Sequence, residues 1–375
     1  MPGLATTLLF AALVSASKAD DSDPALRDLM RGSPGAEARA ELALTDPATT
    51  ADARSRILSI LCHVRGMRGR YAEAARSCRA QPEATRSPDS IAFWGALADI
   101  PPPRAIGSAT VGVTRNWAEL SQVAAEANGT RMQWAIDTGA EISVVTASIA
   151  RRIGVKPLTG SRIRVGTATA PTSGELGLIG LLRIGDATIE NLVVLVLPDE
   201  RFDLGKGRIL PPILGLPNLV AFGRVAWLDR GTRLALGDAA PAAGPQSVPL
   251  YWHEDGIGLE FRTPVGERIA HFDSGANSGD IHPEALDLLA PAELAGINSR
   301  IATTGGAGGI VRKVQRHVPR IAAHIAGVPI TLTDISVEDS MESGVRIGMD
   351  FVDQLETLVL DFERMRVAAT PRARP

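Results

Sequence analysis

Aromatic side chains are scarce in this chain: Phe, Trp and Tyr make up 4% of 375 residues, and only two of them are tyrosines. Cysteine is equally scarce, at two residues, which excludes a disulfide-dense scaffold and a four-cysteine zinc site. Basic charge shows no surplus, with Lys+Arg at 39 against Asp+Glu at 42 and a formal net charge of -3. A general nucleic-acid binder needs such a surplus to neutralise phosphates, so that class is excluded. Long apolar runs are missing too. Past the N-terminus no stretch approaches the ~18 apolar residues of a membrane span, and Asn191 to Pro198 is only strand-sized. Metal-protease, serine-hydrolase and phosphate-loop signatures (His-Glu-x-x-His, Gly-x-Ser-x-Gly, Walker type) are absent. The six histidines, His63, His253, His271, His282, His317 and His324, are scattered without ligand spacing, so no metal or other cofactor is expected. With 45% hydrophobic residues and little net charge, the chain has the composition of a folded protein of two or three domains.

At the N-terminus, Leu4 to Val14 is an apolar run followed by small residues, with cleavage expected after Ala16 or Ala19. Residues 1–19 therefore read as an export signal, although Met1-Pro2-Gly3 supplies only the terminal amine as positive charge; an ordinary apolar first helix is the competing reading. The expected location is periplasmic or secreted, with no stable membrane insertion after signal removal. Residues 20–98 form an Ala-, Arg- and Leu-rich head with helical spacing, Ile57, Ile60, Leu61 and Val64 recurring on one face. Gly69-Arg70-Tyr71-Ala72-Glu73-Ala74 opens a second helix, and this hairpin resembles one tetratricopeptide repeat. Taken in that register, the resemblance places Cys62 and Cys78 on facing sides of the two helices. They are then either a disulfide in an oxidising compartment or two buried thiols, structural in both cases.

Residues 99–104, with Pro101-Pro102-Pro103, cannot continue a helix and read as a linker. Beyond them, short Val/Ile/Leu runs punctuated by glycine predict a mainly β body, with short helical stretches after Thr146, Pro217 and Pro283. The body repeats itself. Trp134-Ala135-Ile136-Asp137-Thr138-Gly139-Ala140 recurs as Ala270-His271-Phe272-Asp273-Ser274-Gly275-Ala276, and Ile213-Leu214-Gly215 recurs as Arg346-Ile347-Gly348 at nearly the same distance downstream. Each of these leads into a short helix and a closing strand, Arg224 to Asp229 and Thr357 to Asp361. About thirty residues after each aspartate comes a small-residue segment, Thr167 to Gly174 and Thr303 to Gly309.

On those motifs the body, about residues 105–370, resembles an aspartic peptidase of the retropepsin/pepsin type, with both lobes in one chain (105–240 and 241–375). The resemblance implies a bilobal, pseudo-twofold acid-protease barrel and an endopeptidase acting on polypeptide. Asp137 and Asp273 would be the catalytic pair, supported by Thr138, Gly139, Ser274 and Gly275, with Thr138 and Ser274 hydrogen-bonded across the lobe interface. It also implies flaps at Thr167 and at Thr303, Gly305, Gly306, Gly308 and Gly309. Independently of the family, two carboxylates a few ångströms apart cannot both ionise, so they share one proton and titrate as a pair. Fusion of both lobes predicts an active monomer.

Three departures stand out. Arg346 replaces the apolar residue of the first lobe, Asn277-Ser278-Gly279-Asp280 is more polar than Ile142-Ser143-Val144-Val145, with Asp280 poised to perturb the dyad, and neither Tyr71 nor Tyr251 can serve as a flap tyrosine. The missing flap tyrosine favours the retropepsin-like pattern. His271, two residues before Asp273, is expected to be structural; Arg312 to His317 is expected to be a solvated strand face, and Trp117, Trp134, Trp227 and Trp252 to be core. The competing functions are a peptide-binding protein on the same fold, with the head docking a protein partner, and a two-carboxylate glycosidase, which would need no duplicated loop.

Overall fold

The computed structural model describes residues 24–166, 171–205, 207–253, 256–306, 309–339 and 344–372. The expected export signal and the flap positions Thr167 and Gly308 lie outside the described residues. Among the described residues the head has five helices: α1 (Pro24–Met30), α2 (Ala36–Thr45), α3 (Ala51–Met67), α4 (Tyr71–Ala80) and α5 (Pro88–Ala96). Helix α3 begins where the Thr50 hydroxyl accepts a hydrogen bond from the Ala53 N–H. It turns into α4 through Gly69 at φ +73°, a conformation that favours glycine. The stripe Ile57, Ile60, Leu61 and Val64 is buried as its period requires, against Tyr71, Ala74, Phe93 and Trp94. Trp94 stacks on Tyr71 at 5.9 Å and lies so close to Gly66 that a Cβ there would come within 2.8 Å of the indole Cε2. Cys62 and Cys78 are joined in a disulfide with Cα atoms 5.3 Å apart, tying α3 to α4.

The body is mainly β. Its first sheet has nine strands between Arg104 and Gly215, and its second has eight between Tyr251 and Ile347. A third, six-stranded sheet joins the lobes. At its centre Arg224–Leu228 pairs antiparallel with Leu355–Asp361, Ala226 facing Val359; each is flanked by its own neighbour, Arg233–Leu236 and Arg366–Pro371, and then by Ala109–Gly112 and Val248–Pro249. The two closing strands read from the sequence are thus the pair astride the pseudo-twofold axis. The predicted short helices are present as α6 (Ala147–Arg152), α7 (Leu216–Ala221) and the 3-10 turn Pro283–Leu288.

Two expectations are corrected. Trp117 is not core: it is 39% exposed, in a turn held by the Asn116 side chain, which accepts from the Ala118 and Leu120 N–H groups, and the Arg208 guanidinium lies over its ring. Trp134, Trp227 and Trp252 are fully buried. Arg312 to His317 is not a uniformly solvated face either. Within the strand Gly309–Ile325, Gln315 and His317 turn inward while Arg312, Lys313, Val314 and Arg316 face solvent.

Candidate active site

Each aspartate ends a strand. Asp137 closes Thr130–Asp137, and Asp273 follows Glu267–Phe272. Behind each runs the apolar-Gly strand in parallel pairing: Ile213–Gly215 places Gly215 opposite Asp137, and Val345–Ile347 accepts the Asp273 N–H on the Ile347 carbonyl at 2.9 Å. These strands thread through a tight opening. A Cβ at Gly215 would lie 2.6 Å from the Ala140 oxygen, and one at Gly348 would lie 2.8 Å from the Ala276 oxygen, so only glycine fits. The chain continues identically in both lobes, with Leu216 N–H bonding Ala140 O at 2.8 Å and Met349 N–H bonding Ala276 O at 2.8 Å.

The two loops are interlocked. Thr138 Oγ1 donates to the Phe272 carbonyl (2.8 Å) and accepts from the Ser274 N–H (2.9 Å), while Ser274 Oγ donates to the Ile136 carbonyl (3.0 Å) and accepts from the Thr138 N–H (3.0 Å). All four bonds are buried and cross from one lobe to the other. The glycines interlock in the same way: a Cβ at Gly139 would stand 2.6 Å from Asp273 Oδ1, and one at Gly275 would stand 2.6 Å from Asp137 Oδ1. Each loop's glycine therefore makes room for the opposite loop's carboxylate. The structure brings together all six of these sequence-predicted residues: Asp137, Thr138, Gly139, Asp273, Ser274 and Gly275.

Both carboxylates are buried, Asp137 at 1% and Asp273 at 0% exposure. Each accepts a bond on Oδ1 from the glycine N–H two residues on, Gly139 at 2.9 Å and Gly275 at 2.8 Å. Burial, followed by the charge and hydrogen bond of Asp273, holds the Asp137 carboxyl well above its ordinary value, against the pull of the Gly139 and Ala140 N–H groups. Two buried carboxyls this close share one proton. Such a pair can activate a water and polarise a carbonyl at once, and among the described residues no cluster of metal-ligand type stands near it.

The lobes differ one step behind the dyad. In the first lobe Ile213 pairs with Ala135 on one side and Val144 on the other; in the second, Arg346 pairs with His271 and Asp280 at the equivalent positions. Arg346 is buried, binds the Asp280 carboxylate through Nη2 and lies 3.7 Å from Asp273 Oδ2 through Nη1. His271 stacks on His253 at 5.8 Å, and burial first, then the charges of His253, Arg346 and His63, push its pKa well below the ordinary imidazole value. It stays neutral.

One contact had no sequence signal. His63 of α3 reaches into the body, its Nδ1 3.1 Å from Glu141 Oε1 and its Nε2 3.3 Å from the Gly256 carbonyl. Glu141 directly follows the Asp-Thr-Gly-Ala loop, so the head is anchored on the residue that leaves the first aspartate loop. Arg68 reinforces the contact by lying over the Trp252 ring at 5.4 Å, and Arg164 of the Lys156–Val165 strand pairs with Asp89 of α5 at 3.2 Å. The flap positions Thr303, Gly305, Gly306 and Gly309 fall on one antiparallel hairpin, Asn298–Gly306 with Gly309–Ile325, in which Thr303 pairs with Arg312 and Gly306 with Gly309.

The model of the aspartyl protease family matches residues 123–217, which lie within the first lobe and make up less than half of the chain. The match and the doubled threading of strands identify the fold as that of retropepsin/pepsin-type aspartic proteases. Solved structures similar to the chain include basic 7S globulin from soybean, at 12% identity and TM-score 0.42, covering 72% of this chain and 96% of that one. Another is a retropepsin-like aspartic protease from Rickettsia conorii, at 20% identity and TM-score 0.24, covering 36% of this chain and 90% of that one. No curated protein matches the sequence.

Proposed function

We propose that the chain is an aspartic endopeptidase in which water is activated between Asp137 and Asp273. The observation that carries this reading is the reciprocal lock of the two loops, each glycine lying against the opposite carboxylate, because it builds one dyad from both lobes. The reaction is general acid–base hydrolysis. One carboxylate takes a proton from water as its oxygen attacks the peptide carbonyl, and the protonated partner donates to the carbonyl oxygen. The resulting diol collapses, and the amine leaves with the proton taken from water. The chain's residues supply every proton transfer, so no cofactor enters.

Substrate on this reading is an extended polypeptide, held between the hairpin of Thr303, Gly305, Gly306 and Gly309 and its first-lobe counterpart through backbone hydrogen bonds. The enzyme works as a monomer, exported to the periplasm or beyond; the Cys62–Cys78 disulfide supports an oxidising compartment. The direct test incubates the purified full chain with a mixed peptide library from about pH 3 to 8 and reads products by mass spectrometry. Internal cleavage that a hydroxyethylene isostere blocks is expected. Binding of the isostere with no cleavage at any pH would replace this reading by the non-catalytic peptide-binding one.

A further inference from the structure

The pseudo-twofold axis makes the first lobe an internal control for the second. At three equivalent positions behind the catalytic loops, Ala135, Ile213 and Val144 in the first lobe become His271, Arg346 and Asp280 in the second. An apolar triplet is the inexpensive way to fill that space. Burying a charged pair costs several kcal/mol per ion in desolvation, and replacing such pairs by apolar residues is often neutral or stabilising. The first lobe shows that the apolar solution fits this fold. What the polar triplet adds is a cation directed at one carboxylate of the dyad and not at the other: Arg346 Nη1 lies 3.7 Å from Asp273 Oδ2, while Nη2 is anchored on Asp280.

We propose that Arg346 is a positioning residue that fixes which carboxylate of the dyad is charged, a role that rests on the peptidase reading above. The guanidinium holds Asp273 as the carboxylate, and the shared proton stays on Asp137. Asp280 orients the guanidinium and balances its charge. In the reaction Asp273 accepts the proton from water as the new C–O bond forms, and Asp137 donates its proton to the carbonyl oxygen. On collapse the C–N bond breaks, Asp273 returns its proton to the amine nitrogen, and Asp137 recovers a proton from a diol hydroxyl. The net reaction consumes one water, and both carboxyls end as they began.

The groups facing Arg346 from the surrounding elements are consistent with this role. His271, its partner across the parallel strand pair, has its pKa pushed well below the ordinary imidazole value by burial first and then by neighbouring charges, which disfavours a second cation there. His253 and His63 lie beyond His271. Glu338, whose charge also favours the Arg346 cation, accepts from Lys313 Nζ at 2.6 Å and from Gln315 Nε2 at 2.8 Å. Because the Arg346 charge itself acts on His271 and is coupled to Glu338, the aspartate carboxyl carbons are followed directly, so that a shift in a neighbouring group is not read as a shift in the dyad.

The test compares the full chain with Arg346→Ile/Asp280→Val, which installs the first lobe's pair and removes the buried Asp280 together with its Arg346 partner. Arg346→Gln, which keeps a donor without charge, covers the case in which the double variant does not fold, and Arg346→Lys restores charge. Two readouts are taken: the carboxyl carbon-13 titration of labelled aspartates, assigned with Asp137→Asn, and the acid limb of kcat/KM. An opposite charge within about 4–6 Å lowers a carboxyl by 1–3 units, and Asp280 offsets part of this. Loss of the charge should therefore raise the lower midpoint of the dyad by about one unit in both readouts, and Arg346→Lys should return it towards the parent. A midpoint unmoved in both uncharged variants overturns the proposal while leaving the peptidase reading standing. A midpoint that moves in a parent chain that cuts no peptide keeps the charge-fixing role and overturns the peptidase reading.

Discussion

Replacing Thr138 by valine keeps the shape of the side chain and removes its hydroxyl. Two bonds disappear with it: the donation to the Phe272 carbonyl at 2.8 Å and the acceptance from the Ser274 N–H at 2.9 Å. Thr138 is 0% and Ser274 1% exposed, so water cannot take over as partner. A net hydrogen bond contributes about 0.5–1.5 kcal/mol, and a buried group left unsatisfied costs about 1–3 kcal/mol more. Thr138→Val should therefore destabilise the chain by about 3 kcal/mol, while Thr138→Ser, which keeps the hydroxyl, should cost under about 1.5 kcal/mol. Urea unfolding at fixed pH measures both. The lock also predicts coupling. Ser274→Ala removes the other two bonds, and the double variant should cost less than the sum of the singles by at least about 0.5 kcal/mol. Equal stability of Thr138→Val and the parent, or strict additivity with Ser274→Ala, would show that the loops are not held by this lock.

Further predictions follow from the same geometry. Gly275→Ala puts a methyl group 2.6 Å from Asp137 Oδ1 and should lower kcat/KM at least about a hundredfold by displacing the carboxylate, read in a peptide-cleavage assay. Activity within a factor of about three would contradict the close approach. Asp350, in the short helix Met349–Val352, has its carboxyl pushed up to about 7 by burial. Because its folded value is raised, its favourable contribution is complete below about pH 4 and is lost as pH rises towards about 7. Asp350→Asn should then gain up to about 4 kcal/mol over the parent at about pH 8 and nothing below about pH 4; a gain that does not vary with pH refutes this. His63→Ala should cost about 1–3 kcal/mol and release the head from Glu141, seen as faster limited proteolysis in the segment joining head to body, and unchanged proteolysis would deny the anchor.

How much of this was legible depended on how locally each feature is encoded. The Asp-Thr-Gly and Asp-Ser-Gly triplets are local, because a tight loop that admits a foreign carboxylate needs glycine two residues after its own aspartate. The doubling of the motif carried the bilobal fold, since the apolar-Gly strand must return behind each loop. The helical stripe of α3 was likewise a periodic signal, whereas the facing of Cys62 and Cys78 came only from the resemblance of the hairpin to a tetratricopeptide repeat. Arg346 was visible as a departure, but its partners His271 and Asp280 are set by strand register across long sequence separations, which no local pattern contains. His63 gave no signal, because its meeting with Glu141 depends on how the head docks. Trp117 misled for the opposite reason: an aromatic residue expected in the core sits in an Asx-held turn whose geometry depends on Asn116.

The central claim, that Asp137 and Asp273 act as one catalytic unit, is tested most directly by kcat/KM for the parent, Asp137→Asn, Asp273→Asn and the double variant on one cleaved peptide. If they form a unit, each single substitution removes at least about a thousandfold and the double removes no more than the worse single. A single variant that keeps activity within about tenfold of the parent, or losses that multiply in the double, would contradict the account.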